Sequence, residues 1–243
     1  MTAAGEQAND QRARLLAWGV HALTASGVVF ALLALAAIER DDHGTALLWL
    51  FAAMVVDGVD GTLARTARVK QVLPRIDGEV LDLVIDYLTY VFLPALFIWR
   101  GEYLPTSVAG VLTALILVSS LYVFARRDMK TDDGYFRGFP ALWIGVAFYF
   151  HVLLPSETVA AVTVAILVAA TFAPVHFIHP FRARDYGSWP LVFAAIGGAA
   201  SAALLLPGWI RDLYALLVAL SLGSAAALVI LGLGRTVRER KPQ

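Results

Sequence analysis

The sequence predicts an all-α fold, a polytopic membrane helical bundle of about eight transmembrane helices. Three observations carry that expectation. Of 243 residues, 59% are hydrophobic and only 16% charged, with a mean hydropathy of +0.72, whereas soluble domains stay near half apolar. The apolar residues gather into repeated runs close to the roughly 20 residues a helix needs to cross a bilayer. The basic residues fall between those runs with a strict alternation.

In chain order the predicted spans cover residues 16–38, 45–63, 80–99, 106–125, 141–154, 159–178, 190–206 and 213–234. Ahead of the first lies a polar tail, residues 1–15. The run that follows is too long for a signal-peptide core and reads as a retained helix. The fifth run is short for a span and is framed by Pro140 and Pro155, while the sixth and eighth are nearly continuous Ala, Val and Leu. No polar stretch is long enough for a soluble domain, so residues 1–243 read as a single integral membrane domain with a cytoplasmic tail at 235–243.

Orientation follows from the basic residues, which concentrate on the cytoplasmic side of membranes. With both termini cytoplasmic, that side holds Arg12 and Arg14, then Arg65 to Arg75, Arg126 to Arg137, Arg182 and Arg184, and Arg235 to Lys241. Of the 19 basic residues, only Arg40, Arg100 and Arg211 fall outside. Losing one helix would scramble this pattern. The chain has no cysteine, which excludes disulfides, zinc–thiolate sites and cysteine nucleophiles.

Against this apolar background, four aspartates stand out. Asp57 and Asp60 close the second span, and Asp82 and Asp86 open the third. Ionisable groups inside spans cost about 2.5–3.5 kcal/mol each near mid-membrane and less toward the interface. A single aspartate at a helix end is an ordinary capping residue. Four at spacings of three and four, on two antiparallel helices joined by one loop, share facing surfaces. Carboxylates gathered in a low-dielectric site raise one another's pKa, and a divalent cation resolves the repulsion. Oxygen-only ligands suit Mn²⁺ or Mg²⁺. Gly58, Gly61 and Gly78 clear side-chain bulk from the same corner, and Arg65 supplies a guanidinium donor for a phosphate.

The run Asp57-x2-Asp60-Gly61-x2-Ala64-Arg65-x12-Gly78-x3-Asp82-x3-Asp86 resembles the signature of the CDP-alcohol phosphotransferase family. The resemblance implies a six-helix catalytic core over about the first three-quarters of the chain. Most members have about eight residues between the Ala-Arg pair and the glycine. The twelve here, Thr66 to Asp77, look like the bacterial phosphatidylcholine synthase subgroup. The stretches Lys70-Gln71-Val72-Leu73-Pro74-Arg75 and Gly134-Tyr135-Phe136-Arg137-Gly138-Phe139-Pro140 agree with that subgroup.

The resemblance implies a phosphotransferase that condenses CDP-diacylglycerol with choline in a bacterial inner membrane, with the active site on the cytoplasmic side. It assigns Asp57, Asp60, Asp82 and Asp86 as ligands of Mn²⁺ or Mg²⁺. Asp86 is the candidate general base, with Asp82 also catalytic. Asp57, Gly61, Thr62, Ala64, Arg65 and Gly78 would bind the CDP-lipid. Choline carries a permanent positive charge, so its pocket is expected to be aromatic, with Tyr87, Tyr90, Tyr135, Phe136 and Trp143 as candidates. A homodimer is expected from the family, and no nucleic-acid partner. The acceptor alternatives at this point are serine, glycerol 3-phosphate or inositol phosphate. From another class, a cation transporter could use four intramembrane acids, although such sites usually lie near the midplane with inverted repeats.

Overall fold

The computed structural model describes residues 3–183, 185–206 and 211–239. Arg184, Arg240 and Lys241 of the predicted cytoplasmic set lie outside the described residues, as does the end of the C-terminal tail. Among the described residues four helices are long and apolar enough to cross a membrane, namely Asn9–Ile38, His43–Thr66, Gly78–Arg100 and Tyr214–Glu239. Four shorter apolar helices, Ala109–Ala125, Trp143–Leu153, Glu157–Phe172 and Trp189–Leu204, complete the set. These eight follow the eight predicted runs in order. The chain is a multi-pass membrane helical bundle.

Helix α1 (Ala3–Ile38) begins well inside the stretch expected to be a polar tail. Its first turns are rich in Ala, Glu, Gln and Arg, which favour helix, and Arg14 pairs with Asp10 at 3.2 Å, one turn away. Helix α2 (His43–Thr66) starts on Asp42, whose side chain accepts from the Thr45 N–H. A linker with the short helix α3 (Val69–Val72) leads to α4 (Gly78–Asp86), capped by Asp77, which accepts from the N–H groups of Glu79 and Val80. Val69 tucks between Ala17 and Val20 of α1, fixing the linker to the bundle.

The third span is not one uniform helix. After α4 the chain widens into a π-helical turn, Tyr87–Phe92, before α5 (Leu93–Arg100). The cause is Pro94, which has no N–H to donate to the Tyr90 carbonyl and whose ring would crowd that oxygen in an α-helix. Widening the turn separates them, and the Leu93 N–H reaches back five residues to the Leu88 carbonyl.

The sixth span, expected to run to residue 178, stops at Phe172 in α8 (Glu157–Phe172). Pro174 forces Ala173 out of the helical region, to ψ 148°. Residues 176–178 then form strand β2, antiparallel to β1 (Tyr135–Arg137), with Phe136 opposite Phe177. This short two-stranded ribbon is a local addition to the helical bundle. Gly134 and Gly138 adopt positive φ, 89° and 80°, and a side chain at Gly138 would collide with the Thr171 carbonyl. After α9 (Trp189–Leu204), the last helix, α10 (Tyr214–Glu239), extends through most of the predicted C-terminal tail and packs on the ribbon. There Thr236 Oγ1 accepts from the His176 N–H at 2.7 Å, and Arg235 pairs with Asp133 at 2.8 Å.

The main core gathers Phe97, Ile116, Trp143 and Phe148, all essentially inaccessible, between α5, α6 (Ala109–Ala125) and α7 (Trp143–Leu153). Large apolar side chains such as Val55, Val111, Ile166 and Ile230 are more than 60% exposed, which suits a hydrocarbon solvent and would be anomalous in water. Among the described residues most buried hydroxyls are paired inside the bundle, as lipid favours, Thr113 Oγ1 being an exception. Ser201 and Ser221 meet at 2.8 Å, for example, and Tyr149 donates to the Ser221 carbonyl at 3.1 Å.

Candidate active site

Because α2 and α4 are antiparallel neighbours joined by an eleven-residue linker of residues 67–77, their acidic ends meet. Asp57, Asp82 and Asp86 each place a carboxylate oxygen within 4.8 Å of the others. All three side chains are partly accessible. Among the described residues none of the three forms an ion pair with a basic side chain. Three hard oxygen donors with no ion-paired base in contact fit a divalent cation of the Mg²⁺ or Mn²⁺ class. The site is therefore an aspartate cluster able to hold a metal.

Asp60 stands apart from these three. It is 4% exposed, one helical turn from Asp57, and its carboxylate engages Thr24 of α1. It still lies within charge–charge reach of Asp57 and Asp82. The structure thus brings three of the four predicted ligands together and turns the fourth toward α1.

Tyr90 is drawn into the cluster by the π turn. Its hydroxyl donates to Asp57 Oδ2 at 2.7 Å, tying the third span to the second. The other predicted aromatics scatter. Tyr87 donates to the Leu117 carbonyl at 3.1 Å and meets Phe124 edge-on. Tyr135 is fully buried, its hydroxyl donating to Asp185 at 3.2 Å. Phe136 stacks on His179 at 5.2 Å and carries the Lys130 ammonium 5.4 Å from its ring centre. Trp143 is fully buried and donates its indole N–H to Ser120 at 2.9 Å. Of the five, only Tyr90 is bonded to a cluster aspartate.

The predicted CDP-lipid residues lie toward the ends of α2 and α4 that the linker joins. Arg65 lies against its own helix, donating to Thr62 Oγ1 at 3.0 Å. Gly61 leaves space beside that guanidinium, since a side-chain carbon there would sit 3.6 Å from Arg65 Nη1. Ala64 packs toward the Ala17–Val20–Val69 cluster, and Gly78 lies against His21.

Lys130 was read from the sequence only as part of a basic loop. In the fold it is the cation whose charge acts on Asp57, Asp82 and Asp86, and Arg182 lies close enough to repel it. The ribbon delivers it, because Lys130 bridges to Phe136. Beneath it, burial first, and then the charges of Lys130 and Arg182, push His179 down to about 4, so that its ring is neutral at pH 7. The hairpin signal that could have located Lys130 is the pair of glycines at 134 and 138 around a short β-prone run. A run of apolar residues toward 178 masked the partner strand.

This geometry agrees with relationships across the chain. The CDP-alcohol phosphatidyltransferase family profile matches residues 20–178, and the chain belongs to that family. Among curated proteins, it is 54% identical to a phosphatidylcholine synthase of Pseudomonas aeruginosa over 170 residues, 70% of this chain and 71% of that protein. It is 40% identical to that of Agrobacterium fabrum over 184 residues, 76% of each chain. It is 36% identical to that of Borreliella burgdorferi over 172 residues, 70% of this chain and 73% of the relative. The protein is a membrane phosphatidyltransferase.

Proposed function

We propose that the chain condenses CDP-diacylglycerol with choline, giving phosphatidylcholine and CMP. The observation that carries this reading is the convergence of Asp57, Asp82 and Asp86 within 4.8 Å of one another, in a chain more than half identical to a phosphatidylcholine synthase over 170 residues.

In the proposed reaction the choline hydroxyl oxygen attacks the phosphorus that carries the lipid. The bond from that phosphorus to the oxygen bridging to CMP breaks, and CMP leaves with the electron pair. Asp86, the farther of the two aspartates along α4, takes the hydroxyl proton. Asp57 and Asp82, with Asp86, would hold the cation, and Asp60, one turn from Asp57, would be its fourth candidate ligand. When bound, Mn²⁺ or Mg²⁺ neutralises the charge that builds on the leaving group. Tyr90 fixes the Asp57 carboxylate that faces this chemistry.

Gly61, Thr62, Ala64, Arg65 and Gly78, with Asp57, line the proposed path of the CDP-lipid, and Arg65 swings from Thr62 onto a phosphate. Lys130 faces the diphosphate from the ribbon. A lysine would repel choline, so its place is on the anionic substrate. Tyr87 and Tyr90, beside Asp86, are the proposed choline contacts. Tyr135, Phe136 and Trp143, engaged elsewhere, act by holding the ribbon and α7 behind them. The basic loops support an active site and termini on the cytoplasmic face of a bacterial inner membrane, and the chain is proposed to work as one catalytic domain, paired as a homodimer.

The test is CMP release by detergent-purified protein given CDP-diacylglycerol, a divalent cation and each alcohol in turn. Choline-dependent CMP with a phosphatidylcholine product is expected. CMP release with serine or glycerol 3-phosphate but not with choline would overturn the acceptor and keep the chemistry.

A further inference from the structure

Helix α10 lies beyond residues 20–178, the part matched by the family profile, yet its last turns meet the ribbon region at three points. At Gly232 the two backbones touch, since a side-chain carbon there would fall 2.5 Å from the His176 carbonyl oxygen and 2.9 Å from Phe177 Cα. One turn on, Thr236 Oγ1 accepts from the His176 N–H at 2.7 Å, so the helix supplies the partner of a strand N–H. Beside it, Arg235 Nε donates to Asp133 Oδ2 at 2.8 Å, a charge-assisted bond that is short and directional. Both side chains of this pair are partly buried, and Arg235 Nη1 lies 3.7 Å from Glu239 on the same helix.

Asp133 sits at the tip of the hairpin that carries Lys130. The Arg137 N–H donates to the Met129 carbonyl at 3.0 Å, and the Thr131 N–H to the Tyr135 carbonyl at 2.8 Å. At the tip, the Gly134 N–H returns to the Thr131 carbonyl at 3.1 Å. A hairpin closed at these points moves as one piece, so a hold on Asp133 is a hold on Lys130, three residues away. Lys130 needs one. Among the described residues its ammonium forms no ion pair. It stands 5.4 Å from the Phe136 ring centre, and Arg182 lies close enough to repel it. A lysine stem is flexible, so its place near Asp57, Asp82 and Asp86 depends on the backbone that bears it.

We propose that the end of α10 is a clasp on this hairpin, and that Arg235, acting through Asp133, is a positioning residue for Lys130. The proposal rests on the reading of Lys130 as a contact of the CDP-lipid diphosphate. It makes the contribution of Lys130 conditional on a helix that carries none of the site's aspartates.

The experiment is a double-mutant cycle on the full chain, with Arg235→Met and Lys130→Met alone and combined. Arg235→Met is expected to raise the KM for CDP-diacylglycerol toward the about tenfold change of a lost charged contact. The KM for choline and the half-saturating Mn²⁺ concentration stay unchanged. In the Lys130→Met background the same substitution adds nothing. Gly232→Ala, which alters no charge and displaces the ribbon, follows the same pattern. Equal factors in the two backgrounds overturn the proposal, since they mark a role in packing that bypasses Lys130. An unchanged KM in Arg235→Met overturns it as well. Should the wild type release no CMP with choline, the acceptor reading fails on its own. The same cycle is then read from binding of CDP-diacylglycerol, where additive losses overturn the clasp. A second measurement is independent of turnover. The chain has no cysteine and Asp132 is exposed, so Asp132→Cys takes a single nitroxide label beside the tip. Its mobility is expected to increase in Arg235→Met, and equal mobility with and without Arg235 overturns the proposal.

Discussion

At the scale of single residues, the site is a balance of charges that the helices force together. Asp57, Asp82 and Asp86 lie within 4.8 Å with no basic partner in contact, so each substitution has a distinct expected signature. Asp86→Asn removes the proposed base while leaving shape and one ligand oxygen. Turnover should fall about 10²–10⁴-fold with the KM for CDP-diacylglycerol little changed, read from initial rates of CMP release. Tyr90→Phe keeps the ring and deletes only the bond to Asp57 Oδ2. Partners of metal ligands typically cost about 10–100-fold in metal affinity when lost. The half-saturating Mn²⁺ concentration should therefore rise within that range, and an unshifted value would show that Asp57 needs no support. Lys130→Met preserves the stem over Phe136 and removes the charge. Its expected effect is a higher KM for CDP-diacylglycerol, about tenfold for a lost charged contact, with choline unaffected. A lower KM for choline alone would instead place Lys130 on the acceptor side. The four aspartates were legible in the sequence because acids are rare in apolar helices. Lys130 was not, because it lies in a loop.

At the scale of elements, the ribbon of β1 and β2 and the π turn do what straight helices could not. The π turn brings Tyr90 to Asp57 although a regular helix through Pro94 would have crowded the Tyr90 carbonyl. The ribbon carries Lys130 over the acidic corner, and its underside is a neutral His179 stacked on Phe136. Burial holds His179 at about 4 against an ordinary 6.5. In the unfolded chain this ring takes up a proton near 6.5, whereas in the fold it resists until about 4. Its contribution to stability is therefore complete above pH 6.5 and declines as pH falls toward 4. Melting temperature should drop across that window, and His179→Phe, which keeps the stack without the titration, should flatten the decline. An identical slope in both proteins would exclude the ring as the cause. Pro94 was visible in the sequence, but its consequence was not, because a proline in a span can kink, break or widen a helix. Pro174 likewise ended the sixth span early where hydropathy alone carried it to residue 178.

At the scale of the whole molecule, packing and metal binding separate. The core around Phe97, Trp143 and Phe148 includes none of the aspartates, so the bundle is expected to fold without a cation. Chelation is expected to abolish CMP release while leaving helical circular dichroism intact, and added Mn²⁺ or Mg²⁺ should restore the rate. Loss of helical signal on chelation would instead make the metal part of the fold.

The sequence by itself determined the membrane class, the order of the eight apolar helices, the acidic residues and the family. All of these rest on composition, period and spacing, which are local properties of the chain. The tertiary structure decided which three aspartates converge, that Asp60 turns to Thr24, which aromatic touches the site, and that a ribbon bears Lys130 above it. Those outcomes depend on helix rotation and on contacts between residues as far apart as Asp133 and Arg235. Hydrophobicity fixes which segments enter the membrane, but it is nearly uniform around an apolar helix. The facing of each helix is therefore set by small-residue contacts such as Gly27 with Ile85 and Gly197 with Ser224, and by the buried hydrogen bonds that lipid leaves no other way to satisfy.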